Sequence, residues 1–140
     1  MHTKKLFYPI VRSRWTYRVL AFLWMATIFW LSSKQSLPTP DLFQGQDKLE
    51  HLFAYGLLSF LLTLSFPHGR TDFFPKRLFV IVLFVGLYGF FDEFHQFFVP
   101  GRDASVWDLC ADIAGGFLSA LLFLHYRSRR FMEKIFLPLS

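Results

Sequence analysis

Cysteine and charge are both scarce in this sequence of 140 residues. Its single cysteine, Cys110, cannot form an intramolecular disulfide, which excludes a disulfide-stapled secreted module. Charged residues make up only 18%, against about 25% in an average globular domain, whereas 54% are hydrophobic and 20 are Phe. A chain this short cannot bury so many large apolar side chains in one core. The composition argues against a disordered protein and an ordinary soluble enzyme, and it favours a membrane protein.

Four apolar segments, separated by connections that contain proline and glycine, are long enough for helices that cross a bilayer, which takes about 17–25 residues. They cover residues 15–31, 49–66, 78–99 and 106–126. We therefore predict an all-α integral membrane bundle of four transmembrane helices over residues 15–126. Basic tails at residues 1–14 and 127–140 flank it.

Basic residues are nearly absent from one side of these segments. Of the 15 Lys and Arg, only Lys34, Lys48 and Arg102 lie there, whereas the 10 acidic residues lie on that side except for Asp72 and Glu133. Because positive residues stay in the cytoplasm, we predict a multi-pass protein with both termini cytoplasmic. Basic residues that flank apolar spans, rather than gather on one soluble face, also argue against nucleic-acid binding.

The first segment could alternatively belong to a cleavable signal peptide, which would leave three spans. Bulky residues at Trp24, Phe29 and Trp30, with no pair of small residues suited to cleavage after them, argue against this alternative. We expect a retained membrane anchor.

The charge-free centres of the four segments are short. They hold only about 12–15 residues, or about 18–23 Å of helix, against a hydrocarbon core about 30 Å thick. In the last three segments, turns that carry acidic residues must supply the missing length. Ionisable groups at membrane depth usually face a bundle interior or a wet cavity. We therefore predict a polar pocket that opens on the outer side.

The spacing of the polar residues supports their convergence, because residues three or four apart share one helix face. Three segments each carry such a stripe at the same level, and Glu93 lies beside the stripe of the third: Asp47, His51 and Tyr55; Tyr88, Asp92 and Gln96; Asp108, Asp112 and Gly115.

Several of these residues also have a purely structural interpretation. Asp47 with Glu50, and Ser105 with Asp108, fit the pattern of a helix capping box. His51 could be a packing histidine. At these positions the sequence leaves both interpretations open.

Asp92 and Glu93 are adjacent acids near the C-terminal end of a helix, where the helix dipole disfavours anions. Ion pairs with Arg102 or Lys48 would give them a structural role, and a functional role is the alternative. Asp112 lies too far inside its helix to act as a cap. The guanidinium of Arg102 could bind a phosphate or a carboxylate through two hydrogen bonds.

These residues form a pattern that resembles the VanZ-like family of bacterial membrane proteins. The resemblance covers about residues 24–124, and its most specific part joins the third and fourth segments. The motifs are Trp30-Leu-Ser-Ser33, Asp47-Lys48-x-x-His51-x-x-x-Tyr55, Asp92-Glu93-x-x-Gln96, Pro100-Gly101-Arg102 and Ser105-x-x-Asp108, followed by Asp112 and Gly115. Position 112 is a departure, because the family often has Asn where this chain has Asp112.

The resemblance implies a small multi-pass protein of the bacterial cytoplasmic (inner) membrane. The founding member of the family is associated with low-level resistance to teicoplanin, a glycopeptide antibiotic with a lipid tail.

We expect the outer pocket to bind a lipid-linked cell-wall precursor or a lipoglycopeptide, in contact with membrane lipids. The expected ligand-binding residues are Asp47, Lys48, His51, Tyr55, Asp92, Glu93, Gln96, Arg102, Asp108 and Asp112. The sequence is compatible with an oligomer.

The alternative is an intramembrane hydrolase or transferase that acts on an envelope lipid. Its candidate catalytic residues are Asp92, Glu93, His51 and Asp112, because neighbouring carboxylates can divide into an acid and a base. We predict no cofactor and no metal. His51, Asp92, His95 and Asp112 have suitable ligand types, but no pair has the spacing of a zinc-binding helix.

Overall fold

The computed structural model describes residues 13–35, 42–66 and 74–128. Within those ranges the chain forms four α-helices and no strand: α1 (Arg14–Ser32), α2 (Gln46–Ser65), α3 (Phe74–Gln96) and α4 (Val106–Ser128). The prediction of an all-α chain with four helices is confirmed. The predicted basic tails lie almost entirely outside the described residues.

The helix boundaries differ from the predicted ones by up to four residues. Helix α2 begins at Gln46 rather than at position 49, and α3 begins at Phe74 rather than at position 78. Both additional turns are polar or contain proline, so apolar character alone does not reveal them. Pro75 is compatible with the first turn of α3, since the first N–H groups of a helix have no partner within it.

Helix α3 ends at Gln96, three residues before the predicted end. The amides of Phe98 and Val99 each bond to the carbonyl three residues earlier, at 3.0 and 2.9 Å, so the chain tightens into turns. Pro100 disfavours helical backbone at the residue before it. Gly101 then adopts φ +81°, a left-handed conformation that favours glycine, and the chain reverses into α4.

Two of the described helices are long and apolar enough to cross a membrane, over Pro75–Gln96 in α3 and Val106–His125 in α4. Helices α1 and α2 contain charged residues near their starts, including Arg14 and Arg18 in α1 and Asp47 in α2.

Helices α2 and α4 pack most extensively, and small residues bring their backbones together. A Cβ atom added at Gly115 would overlap the carbonyl oxygen of Leu52. About two turns beyond Leu52 in α2, the buried Ser59 hydroxyl donates a 2.7 Å hydrogen bond to the carbonyl of Gly116. Small residues on facing helices permit this approach in membrane bundles.

Helix α1 packs against α2, and hydrogen bonds tie it to the bundle. The indole Nε1 of Trp24 donates to the carbonyl of Ala54 in α2 at 2.8 Å. The Tyr88 hydroxyl of α3 donates to the carbonyl of Met25 at 2.7 Å. Each bond spans 30 or more residues of sequence, so α1 has a fixed place beside the polar residues of the other helices.

Candidate functional site

Polar side chains gather at one end of the bundle, where α3 ends and where α2 and α4 begin; we call this the polar end. The following side chains there are buried: Asp92, Glu93, Gln96, Asp108 and Asp112. The chain brings them together because α3 runs antiparallel to its neighbours, so its last turns lie beside their first turns. Ionised carboxylates are rarely buried without a partner, so each contact at this end matters.

His51 lies at the centre of the polar end. Its Nδ1 atom is 2.9 Å from Asp112 Oδ1 and 3.8 Å from Glu93 Oε1. These three side chains come from α2, α4 and α3 in that order, and Asp112 is fully buried. On its own helix, the ring of His51 lies parallel to that of the buried Tyr55, with the centroids 6.2 Å apart. His51 therefore connects three helices.

The adjacent carboxylates of Asp92 and Glu93 have different surroundings. Asp92 Oδ2 accepts a 3.1 Å hydrogen bond from Gln96, one turn further along α3. Glu93 Oε2 accepts a 2.9 Å hydrogen bond from the backbone N–H of Ser105, just before α4. Within the described ranges, neither carboxylate forms an ion pair with Arg102 or Lys48, the cations that the structural interpretation requires.

Lys48 lies at the surface of the polar end, where it joins two aspartates. Its Nζ atom is 2.8 Å from Asp47 Oδ2 and 3.1 Å from Asp108 Oδ1. The hydrogen bond from Lys48 holds the pKa of the exposed Asp47 carboxyl below its ordinary value. Asp108 is buried, so Lys48 is the partner of a carboxylate that water reaches poorly.

Of the two predicted helix caps, the one at the start of α4 is present, whereas Asp47 does not cap α2. Gly45 occupies the N-cap position of α2, so Asp47 lies inside the first turn rather than at the cap. At α4, Ser105 accepts a 3.2 Å hydrogen bond from the N–H of Trp107 through its hydroxyl oxygen. Ser105 thus caps α4, and its own N–H binds Glu93.

A cavity of about 500 Å³ lies beside the polar end, between α1, α2 and the last turn of α3. Apolar side chains of α1 and α2 form most of its wall. Polar and charged side chains line the rest: Ser32, Asp47, Glu50, His51, Tyr55, Asp92, Gln96 and Arg102. Of the residues predicted to bind a ligand, these include six, whereas Lys48, Glu93, Asp108 and Asp112 lie outside the lining.

Arg102 lines this cavity and has no acidic partner among the described residues. No Asp or Glu among the described residues lies within ion-pair distance of its guanidinium, and its buried Nε atom has no hydrogen-bond partner. A buried N–H donor without a partner is costly, so this one is suited to an anion that enters the cavity.

Helix α1 contributes a wall that sequence reasoning missed. Trp24, Ile28 and Leu31 line the cavity from α1. From the sequence alone, Trp24 serves only as a bulky residue that argues against a cleavable signal peptide, and the other two belong to an ordinary apolar run. No ionisable residue in this part of α1 could have indicated a site. The wall becomes visible only when α1 is packed against α2.

His95 lies apart from the group formed by His51, Glu93 and Asp112. Its ring packs against that of Phe29 in α1, with the centroids 4.6 Å apart. Among the described residues, the potential metal ligands that lie together are His51, Glu93 and Asp112. From the sequence alone, His51 and Asp112 were considered with Asp92 and His95 instead, and Glu93 was not included.

The fold and the site together define an all-helical protein with membrane-helix character and a buried, acid-rich polar end. The family model described as VanZ/LLP1 matches residues 7–127, which is most of the chain. The chain belongs to the VanZ/LLP1 family. Comparison with curated proteins and comparison with solved structures each gave no match.

Proposed function

We propose that this VanZ-family chain is a multi-pass protein of the bacterial cytoplasmic membrane, with four spans and both termini in the cytoplasm. In this proposal the polar end faces outward, and its cavity binds a lipid-linked or amphiphilic ligand of the cell envelope. The observation that carries the proposal is the guanidinium of Arg102, which lines a largely apolar cavity and has no acidic partner among the described residues.

The outer surface of the bundle supports the membrane assignment. Large apolar side chains are exposed on all four helices, among them Phe22, Phe53, Phe79 and Leu118. Exposed apolar surface on this scale is uncommon in soluble monomers and is ordinary where lipid is the solvent. The excess of basic residues around the other end of the bundle favours the cytoplasm for that end.

The cavity wall supports an amphiphilic ligand. Trp24, Ile28 and Phe53 supply apolar surface for an acyl chain, while His51 and Gln96 supply hydrogen-bonding groups for a headgroup. A volume of about 500 Å³ lies in the ordinary range for small-ligand sites, about 300–1,000 Å³. The cavity therefore suits a headgroup with the first part of its chain, while the remaining chain lies in the bilayer.

Arg102 restricts the headgroup to an anion. A guanidinium binds phosphate or carboxylate through a planar pair of N–H donors, and it keeps its charge at any physiological pH. The surrounding carboxylates repel anions, so binding depends on this one residue. A lipid-linked cell-wall precursor fits this description, and so does a lipoglycopeptide such as teicoplanin; a role in resistance would follow from the second.

Analysis of co-purifying lipids tests the proposal. The protein is purified in mild detergent, and its bound molecules are identified by native mass spectrometry and lipidomics. We expect one class of anionic amphiphile to be enriched over the bulk membrane, to be lost in Arg102→Ala and to be partly retained in Arg102→Lys. Arg14→Ala, which removes an exposed arginine from the other end of α1, is the matched control.

Equal lipid content in wild type and Arg102→Ala would contradict the proposal, provided that both proteins have the same helix content. Bound lipid that merely mirrors the bulk membrane would contradict it as well.

A further inference from the structure

Three side chains from three helices place potential metal ligands within a few ångströms of one another. They are His51 of α2, Glu93 of α3 and Asp112 of α4, and one ligand atom of each lies within 4.8 Å of the other two. The His51 Nδ1 atom is 2.9 Å from Asp112 Oδ1 and 3.8 Å from Glu93 Oε1.

These separations suit coordination of one cation. Two ligand atoms bound about 2.1 Å from the same metal lie about 3.0–3.4 Å apart in octahedral or tetrahedral geometry. The observed 2.9 and 3.8 Å fall on either side of that range. The third separation, between the ligand atoms of Glu93 and Asp112, is at most 4.8 Å, so binding of a cation would draw the two carboxylates closer together.

Each of the two carboxylates of this group has one oxygen atom without a hydrogen-bond partner among the described residues. The Oε1 atom of Glu93 and the Oδ2 atom of Asp112 are buried and have no hydrogen-bond partner within the part of the chain that the structure describes. Asp112 is fully buried and Glu93 is 7% exposed. One imidazolium could balance only one of the two negative charges. Buried charges are normally paired or coordinate a metal, so the group needs a further positive charge.

We propose that His51, Glu93 and Asp112 bind one divalent transition-metal cation, with Zn²⁺ or Mn²⁺ the best matches. An imidazole nitrogen suits zinc and its neighbours, whereas Mg²⁺ and Ca²⁺ prefer oxygen ligands throughout. Three protein ligands leave at least one coordination position open. His51 also lines the cavity, so the metal lies at the boundary between the acidic group and the ligand-binding cavity.

The surrounding contacts hold two of these ligands in place. Glu93 Oε2 binds the backbone N–H of Ser105, which leaves Oε1 directed toward His51. Asp112 packs against Gly89, where an added Cβ would come within 2.7 Å of Oδ2. Contacts of this kind, made by groups that do not touch the metal themselves, usually fix the orientation of its ligands. The metal proposal goes beyond the lipid proposal and does not depend on Arg102.

Metal content and metal affinity test the site. The full-length protein is purified without chelator and measured by elemental mass spectrometry. It is then stripped with chelator, exchanged into chelator-free buffer and titrated with Zn²⁺ and Mn²⁺ by calorimetry. We expect about one equivalent of saturable binding and affinity at least ~10-fold weaker in Glu93→Gln and Asp112→Asn, because each removes a ligand. Asp103→Asn, an exposed acid in the same loop region, should bind as wild type does.

If Asp112→Asn does not fold, a measurement on the wild-type protein still tests the site. Co²⁺ bound to the unaltered protein should give visible absorption bands typical of nitrogen and oxygen ligands. Absence of saturable binding of either cation would overturn the proposal, and so would affinities unchanged in folded Glu93→Gln. Loss of lipid in Arg102→Ala together with absence of metal binding would refute this site alone.

Discussion

His51 Nδ1 and Asp112 Oδ1 lie 2.9 Å apart, although the two residues are separated by 61 positions in the sequence. The contact joins the first turns of α2 to the second turn of α4, next to the closest approach of the two backbones. Asp112 is buried and His51 is partly exposed. Their contact therefore belongs both to the packing of α2 against α4 and to the polar end.

This contact predicts an energetic coupling between α2 and α4. With chelator present, His51→Gln and Asp112→Asn should each reduce the free energy of unfolding in detergent. Their effects should be non-additive by about 0.5–3 kcal/mol, as for residues in direct contact. A thermal or denaturant double-mutant cycle measures this. The same cycle with His51→Gln and Asp103→Asn should be additive within about 0.5 kcal/mol.

The close crossing at Gly115 predicts a large cost for a single methyl group. Gly115→Ala would place a Cβ on the backbone carbonyl of Leu52, which cannot move without displacing α2. We expect a loss of about 1–3 kcal/mol, typical of overpacking, measured by thermal unfolding in detergent. Gly86→Ala is the control, since its Cβ would meet only the side chain of Ile113 at 3.4 Å. Equal effects of the two substitutions would contradict this view of the interface.

The proposed orientation predicts which positions a membrane-impermeant thiol reagent can reach. The chain has one cysteine, the exposed Cys110, which Cys110→Ser removes. In that background, Asp103→Cys should be labelled in intact cells, because it lies at the polar end. Lys76→Cys, at the start of α3, should be labelled only after permeabilisation. The reverse pattern would place the polar end in the cytoplasm.

The hydrogen bond from Trp24 predicts a specific role for α1. Trp24→Phe removes the donor to the Ala54 carbonyl and opens a gap in the cavity wall. We expect a loss of about 1 kcal/mol in stability and a reduced yield of bound amphiphile. Trp107→Phe should change neither, since that side chain is exposed at the start of α4. Stability and lipid content measured on the same preparations check both effects.

The elements of the fold were predictable because apolar runs and their proline and glycine boundaries carry strong local signals. All four helices were predicted. The start of α2 was not, because Gln46 and Asp47 are polar and only the left-handed Gly45 before them sets the boundary. The end of α3 was also not predicted. The residues after Gln96 are apolar like the helix before them, but in the structure they form tight turns.

The partners within the candidate site were less predictable. Residues four apart share a helix face, which anticipates the hydrogen bond between Gln96 and Asp92. Adjacent Asp92 and Glu93 differ by about 100° around the helix, so spacing alone could not say which one meets His51. Which acid meets His51 depends on the rotation of α3 about its own axis relative to α2 and α4. In the structure, Gly86 and Gly89 of α3 face Ile113 and Asp112 of α4.

The most direct measurement is photo-crosslinking from inside the cavity. A photoreactive residue replaces Leu57, which lines the cavity, or Leu87, which is exposed on α3 outside it. Mass spectrometry then identifies the crosslinked lipids in native membranes. We expect one anionic amphiphile to be enriched at position 57 over position 87, and the enrichment to vanish in Arg102→Ala. The same bulk lipids at both positions, unchanged by Arg102→Ala, would contradict a ligand-binding cavity.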